Sequence, residues 1–466
     1  GPMLSLTTYQ GNSLAVEWQQ ISLNPAMVGK RGFPSYTESH IAEIPAVIAD
    51  LCRHYLRPGM VSLAGIRQED RLIGSGVNKE KLVARFGAGL PRLQRLLLVG
   101  EGSSWRDAQC AAPVFRQALP GVLVNVYRPV ELLNLGPAID PQHDLAVEIS
   151  WSGTTDAVLK VDNWLREMNV LRIVVTGRPQ SDLGRRGLTT AGTLDVMTGV
   201  EVSVATVKGF TAILFVLDLL AGQLSAWQVA SEREFILDEL AFTIPQHLQT
   251  VADDRQRRQQ IRQAAQRCAH FNKVVVVGDS PVDIEAELKI EELAQVVART
   301  IDFHAASLRA LIESSAWAPD DAQRILFIIN ATTPEAHRAA RPVLNYMAEL
   351  GVFCLVHTTT HSTLSDWQQM ENSVVFLSPA VSPALQPLID ATFFFDLAVA
   401  LAYARGLSAD EIDRPRNLAK SVTTTGAERR AAVENQPLFP ALSLAEFAAA
   451  NHSDAAWNAG ANQTSN

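Results

Sequence analysis

Residues 96–104 read LLLVGEGSS, and residues 145–155 read LAVEISWSGTT. Each opens on a short apolar run that breaks into glycine and hydroxyl residues, and a helical pattern follows, over 103–117 in one case and to about residue 168 in the other. Apolar runs of this length, bounded by turn residues, predict buried strands. The same alternation continues around them. Further strands are expected at 122–126 and 171–175, and a long apolar helix from about 205 to 220. After a polar helix over roughly 230–269 the pattern begins again. Strands at 273–277, 325–329, 352–356 and 374–377 alternate with helices through Glu292, over 334–350 and over 385–404. Repeated strand–helix units imply parallel sheets covered on both faces. Two similar halves of about 150–180 residues imply a duplicated domain rather than one large sheet.

The borders follow. Residues 1–35 carry little periodicity and read as an arm. Ile41, Ile44, Val47, Ile48 and Leu51 then form one helical stripe. The first domain is expected over 36–228, the second over 229–408, and a loop with an Ala-, Asn- and Ser-rich tail over 409–466. Of the 466 residues 47% are hydrophobic and 19% charged, which excludes wholesale disorder. Lys plus Arg number 40 against 49 Asp plus Glu, so a nucleic-acid footprint is not expected. Cys52, Cys110, Cys268 and Cys354 lie far apart without a CxxC pair, which removes a zinc knuckle and fits a reducing cytoplasm. Gly1-Pro2-Met3 reads as a cloning scar with no signal segment behind it. The apolar runs 210–220 and 391–402 contain Asp218 and Asp396 and fall short of the roughly 20 residues of a membrane span.

In doubly wound sheets ligands bind beyond the carboxyl ends of the strands. Glycine and hydroxyl residues ahead of a helix suit an anion there, because free N–H groups and the positive dipole end face it. The same Ser and Thr residues are also ordinary helix caps. The second half has no equivalent: its strand ends, 278–281 and 330–333, hold less glycine, and Asp279 would repel an anion. No GxxxxGK[ST] loop occurs, and Trp105 stands where a dinucleotide fingerprint needs its third glycine. Glu285, Lys289 and Glu292 share one face of a helix. That face is either an exposed salt-bridged surface or, if buried, a cluster suited to proton transfer, with Glu292 as base. Lys420, in an aperiodic segment, is either solvated or a Schiff-base amine. His304 is either a ring-opening acid–base group or a partly buried histidine.

Together these segments resemble the sugar isomerase (SIS) family, and within it the isomerase half of glucosamine-6-phosphate synthase. The resemblance runs over about 33–425. It is carried by 100–104 and 150–155, by EVSVATVKGF at 201–210, by the helix of Glu285 and Glu292, and most specifically by DRPRNLAKSV at 413–422. It implies two tandem SIS domains, each a doubly wound, flavodoxin-like α/β sandwich. It implies that Ser104, Ser150, Trp151, Ser152 and Thr155 hold the anion of a sugar and that Val204 and Thr206 line its body. Glu292 would move a proton between C1 and C2 with support from Glu285 and Lys289. Ala419 and Lys420 would close over the substrate, and His304 would open the ring. It implies a phosphorylated or otherwise anionic small sugar as ligand, a homodimer with sites near the subunit interface, no cofactor and no metal, and neither nucleic acid nor membrane as partner.

Several positions depart from the family pattern. Trp151 and Thr154 stand where the synthase usually has Gln and Glu, Thr206 replaces Ser, and His304 precedes Ala305-Ala306 instead of Gly-Pro. No stretch corresponds to the glutaminase half, so glutamine-fed amination is not expected. The expected activity is ketose/aldose isomerisation through an enediol, with release of ammonia from an amino sugar 6-phosphate by the same chemistry. The alternatives are a fructosamine-6-phosphate-type deglycase, an isomerase of a sugar bearing another anion such as a sulfonate, and a non-catalytic sugar-phosphate sensor.

Overall fold

A computed structural model of the chain describes residues 6–7, 13–14, 29–57, 60–61, 76–228, 237–304, 325–349, 351–359 and 372–410. Among these, two short antiparallel pairs lie early in the chain, β1 (Leu6–Thr7) with β2 (Ser13–Leu14) and β3 (Leu56–Arg57) with β4 (Met60–Val61). The expected arm over 1–35 therefore carries one paired stretch. Between the pairs runs α1 (Tyr36–Tyr55), capped by Ser35, whose Oγ accepts from the Glu38 N–H. Of its apolar stripe, Ile44, Val47, Ile48 and Leu51 are buried and Ile41 is half-buried.

The described residues form two compact units. One comprises those of Ala64–Ala108 and Pro120–Asp195 and holds a six-stranded sheet. Its strands are β5 (Gly76–Val77), β6 (Arg95–Gly100), β7 (Leu123–Tyr127), β8 (Asp144–Ile149), β9 (Leu171–Thr176) and β10 (Gly192–Asp195), in the order β5-β10-β9-β8-β6-β7. The five strands from β6 onward are parallel and, numbered among themselves, lie 2-1-3-4-5, the flavodoxin-like order. The edge strand β5 runs antiparallel to β10, so this sheet is not wholly parallel as expected. With it come α2 (Lys79–Phe86), α3 (Ser103–Ala118), α4 (Pro129–Leu135), α5 (Asp156–Glu167) and α6 (Asp182–Leu188), of which α3 passes into the other unit. One face of the sheet buries Leu97, Val99 and Ala146 against Leu132, Val161 and Leu165 of α4 and α5. Every residue of β8 is buried, Asp144 and Glu148 included, which is why its apolar residues do not alternate with exposed ones.

The other unit comprises the described residues of Gly1–Leu63, Gln109–Leu119 and Val196–Glu411. Its helices are α7 (Lys208–Gln228), α8 (Ile244–Asp253), α9 (Arg255–Arg267), α10 (Val282–Ala294), α11 (Pro334–Glu349) and α12 (Gln386–Ala404), together with α1. Its five strands, β11 (Lys273–Val277), β12 (Val297–Ile301), β13 (Ile325–Ala331), β14 (Cys354–Thr359) and β15 (Ser373–Ser378), are all parallel, in the order β12-β11-β13-β14-β15. This is again 2-1-3-4-5, so the duplication read from the sequence holds at the level of topology. Phe327, Ile329 and Val356 pack with Val343, Leu344 and Met347 of α11.

Two expectations need correction. The polar helix expected over 230–269 is, in its described part, a π-helical turn at Glu239–Thr243 followed by α8 and α9. The break falls at Asp254, whose carboxylate accepts from the Arg257 N–H and so starts a new helix. Secondly, the apolar runs are parts of longer elements. α7 and α12 have 21 and 19 residues and are long and apolar enough to cross a membrane, but they are 94% and 83% buried within the protein. They are core helices, which explains why they are apolar all round.

Candidate active site

In a 2-1-3-4-5 sheet the crevice between the first and third strands is the ligand-binding switch point. In the six-stranded sheet those strands are β6 and β8. Gly100 pairs in register with Ile149, so both strands release their loops at the same level. After β6 the chain turns through Gly102, at φ +60°, straight into α3. A side chain on Gly100 would lie 2.6 Å from the Ser104 backbone, so only glycine lets the helix start this close to the strand. Ser104 is nearly buried in that first turn.

After β8, Ser150 Oγ and Thr155 Oγ1 lie 2.9 Å apart, and Ser150 Oγ accepts from the Gly153 N–H at 3.1 Å. Ser152 Oγ accepts from both the N–H and the hydroxyl of Thr154. Thr155 is the N-cap of α5 without making a side-chain cap bond. The loop is laced to the one after β9: the Gly177 N–H donates to Trp151 O at 3.0 Å, and the Leu183 N–H to Gly153 O at 3.1 Å. Gly153 has φ +61°, and a Cβ there would sit 1.8 Å from Ser181 Oγ. Gly153→Ala is therefore expected to cost about 1–3 kcal/mol, by the strain of a left-handed non-glycine residue, and to weaken anion binding. A melting curve and a phosphate titration on this variant check both, and unchanged values would contradict the loop geometry.

The second sheet's switch point, between β11 and β13, is filled by protein. The buried Asp283 carboxylate accepts from Asn330 Nδ2 at 2.6 Å, Asn330 Oδ1 lies 3.0 Å from His357 Nδ1, and His357 Nε2 lies 2.7 Å from Ser378 Oγ. Asp279, expected to repel an anion, accepts the Phe303 N–H.

The acid–base candidates lie in the unit of this second sheet. Lys289 Nζ bridges Glu285 Oε1 at 2.9 Å and Glu292 Oε2 at 3.0 Å. Lys289 and Glu285 are completely buried, and 12% of the Glu292 side chain is exposed. Of the two readings the spacing left open, the exposed salt-bridged face is thereby excluded. Burial alone would lower the Lys289 pKa, but the two carboxylates outweigh it and hold the ammonium charged beyond its usual range.

Sequence reasoning missed a supporting group in the same unit. The carboxylate of Glu201 accepts the N–H groups of Val207, Lys208 and Gly209 at 2.8–3.4 Å and so caps α7. Burial raises its pKa, while the Val207 N–H, Lys208, the Gly209 N–H and Lys289 pull it down. Lys208 Nζ in turn meets Glu43 of α1 at 2.7 Å. His40 of α1 holds Ser203 Oγ at 2.8 Å from its Nδ1. This scaffold carries the turn on which Val204 and Thr206 sit half-exposed. The signal was Glu201 ahead of an apolar helix, a cap at an unusual spacing.

Burial, then the charge of Lys208, lowers the His40 pKa to about 4. Because the folded pKa lies below the unfolded value of about 6.5, His40 contributes stability that is present above pH 6.5 and lost as the pH falls toward 4. The melting temperature of the wild type is expected to drop more steeply across that window than that of His40→Gln. Parallel curves would contradict this.

His304 stands exposed just after β12, its N–H donating to Asp302 at 3.0 Å, so it is not the partly buried histidine one reading expected. Ala419 and Lys420 lie outside the described residues.

No family model matches the chain. A glutamine–fructose-6-phosphate aminotransferase (isomerizing) of Corynebacterium efficiens is 26% identical over 430 residues, covering 89% of this chain and 61% of that protein. The C-terminal domain of a glucosamine-fructose-6-phosphate aminotransferase from Francisella tularensis superimposes with a TM-score of 0.68 at 18% identity, over 82% of this chain and all of that one. The fold is the double-SIS fold. A second double-SIS likeness, to the tagatose-6-phosphate ketose/aldose isomerase of Escherichia coli, has a TM-score of 0.57 at 13% identity, over 82% of this chain and 96% of that one. The chain spans about three fifths of the length of the curated relatives it matches.

Proposed function

We propose that this double-SIS chain is a sugar-phosphate isomerase that shifts a proton between C1 and C2 of a phosphorylated sugar. The observation that carries the reading is the buried Glu285–Lys289–Glu292 bridge. A charged triad of which only Glu292 reaches solvent is expensive to bury, and that member is a carboxylate suited to act as base. The relatives named above, which act on fructose 6-phosphate or tagatose 6-phosphate by their names, support the substrate class. In this reading the hydroxyls of Ser104, Ser150, Ser152 and Thr155, with the start of α5, hold the phosphate. Val204 and Thr206 line the sugar, and Lys420 and Ala419 close over it.

Glu292 takes the proton from one carbon of the open-chain sugar. The electron pair moves into the C1–C2 double bond while the carbonyl oxygen takes up a proton, giving the enediol; the other hydroxyl then gives up its proton and becomes the new carbonyl as Glu292 returns the first proton to the neighbouring carbon. Lys289, 3.0 Å from Glu292 Oε2, keeps the carboxylate oriented throughout. On an amino sugar 6-phosphate the same proton transfer gives an enolamine and then the C2 imine, which water hydrolyses to the ketose phosphate and ammonia. We place the protein as a homodimer with its sites near the subunit interface.

A thermal-shift panel tests the reading, with fructose 6-phosphate, glucose 6-phosphate, glucosamine 6-phosphate, a fructosamine 6-phosphate and a 6-sulfonated sugar, each followed for product. A ligand that binds the native state raises its melting temperature. A phosphate that both shifts the melting and is converted supports the reading, and a panel without any shift removes it.

A further inference from the structure

We propose that Arg128 and Arg178 are specificity-determining residues that make this anion site select a dianionic phosphate over a monoanion; the inference rests on the reading of the site given above. The sheet order is β9-β8-β6-β7 across the switch point, so the strands on either side of the two loop-bearing strands are β9 and β7. The first residue after β7 is Arg128, and Arg178 follows β9 by two residues. Each guanidinium is held over a tryptophan that follows the neighbouring strand, Trp105 in the first turn of α3 and Trp151 in the loop after β8. Arg128 lies 4.2 Å from the centre of the Trp105 ring, and Arg178 lies 4.9 Å from the centre of the Trp151 ring. A guanidinium on an indole face is oriented by the ring's negative quadrupole without losing its charge. Both arginines are exposed, and among the described residues neither side chain has a carboxylate within ion-pair distance.

The Trp151 platform is itself fixed. Its pyrrole edge lies on the Gly177 backbone, where a Cβ would come within 2.6 Å of Nε1. The Arg178 N–H donates to Thr176 Oγ1 at 3.1 Å, which anchors the residue at the strand end. Neutral hydroxyls and helix N–H groups grip any anion of the right size. Arg128 and Arg178 follow the strands on either side of those that carry the loops, and two positive groups there favour the species with more charge, because the Coulomb attraction scales with it. A sugar phosphate gains its second charge near pH 6, whereas a sulfonate or sulfate ester never does.

Calorimetric titration of the full chain with fructose 6-phosphate at pH 5.5 and 7.5, and with the 6-sulfate ester, tests this in the wild type, Arg178→Gln, Arg178→Lys and Arg128→Gln/Arg178→Gln. The wild type is expected to bind the phosphate at least about tenfold more tightly at pH 7.5 than at 5.5 and to discriminate against the sulfate; the double variant should lose most of both effects with an unchanged melting temperature, and Arg178→Lys should keep part. If the wild type binds the phosphate but the double variant matches it at both pH values, or if the sulfate binds equally well, the inference is overturned and the reading of the site stands. If the wild type binds no sugar phosphate, both fall together.

Discussion

Glu292→Gln is expected to lose turnover by about 10²–10⁴-fold, the range general-base catalysis supplies, while its affinity for the sugar phosphate stays within about twofold. The amide keeps the shape of the carboxylate and can still contact Lys289, which lies 3.0 Å from Glu292 Oε2. What it cannot do is accept the substrate proton. The comparison separates two classes of protein with one fold. A sensor needs its ligand and its shape but not this proton acceptor, so it would lose nothing measurable. Wild-type turnover that survives in Glu292→Gln would remove Glu292 from the chemistry.

Lys289→Met is expected to destabilise the protein by about 3–5 kcal/mol, the cost of breaking a buried ion pair from one side. Lys289 and Glu285 are both completely buried, and the ammonium sits between two carboxylates at 2.9 and 3.0 Å. Without it, Glu285 either stays charged with no compensation or takes up a proton, and both are costly. The double variant Glu285→Gln/Lys289→Met should recover part of the loss, because the only carboxylate then left without its partner is Glu292, part of which reaches solvent. Denaturant unfolding of the three proteins measures this. A single variant as stable as the wild type would show that the bridge is not the buried unit described.

Much of this was legible in the sequence because buried parallel strands announce themselves. Leu96–Val99 is a continuous apolar run, and Leu145–Ile149 is broken only by the buried Glu148, since both faces of their sheet are covered. The short strands at and next to the sheet edges were not legible. Gly192–Asp195 and Gly76–Val77 are too brief to show a period, and Val297–Ile301 alternates exposed with buried residues at the sheet's border. The break at Asp254 was hidden inside a run of good helix formers, where a single capping carboxylate outweighs propensity.

The site was legible in its residue types and spacing, and its energetics were not. Spacing put Glu285, Lys289 and Glu292 on one face, but burial, which no periodicity revealed in so polar a stretch, decides what that face is. Glu201 escaped notice because it caps α7 from six residues ahead of the first N–H it holds, a loop geometry no local rule predicts. The stacking of Arg128 and Arg178 on Trp105 and Trp151 joins residues 23 and 27 positions apart, so only the sheet order brings them together.

The most direct measurement is proton exchange at the reacting carbons. The wild type is incubated in heavy water with each sugar phosphate that raises its melting temperature, and deuterium at C1 and C2 is followed by NMR. Incorporation there is expected together with the aldose or ketose product, and loss of both in Glu292→Gln. A sugar phosphate that saturates the protein while its C1 and C2 protons stay unexchanged would contradict the claim that this double-SIS chain is an isomerase.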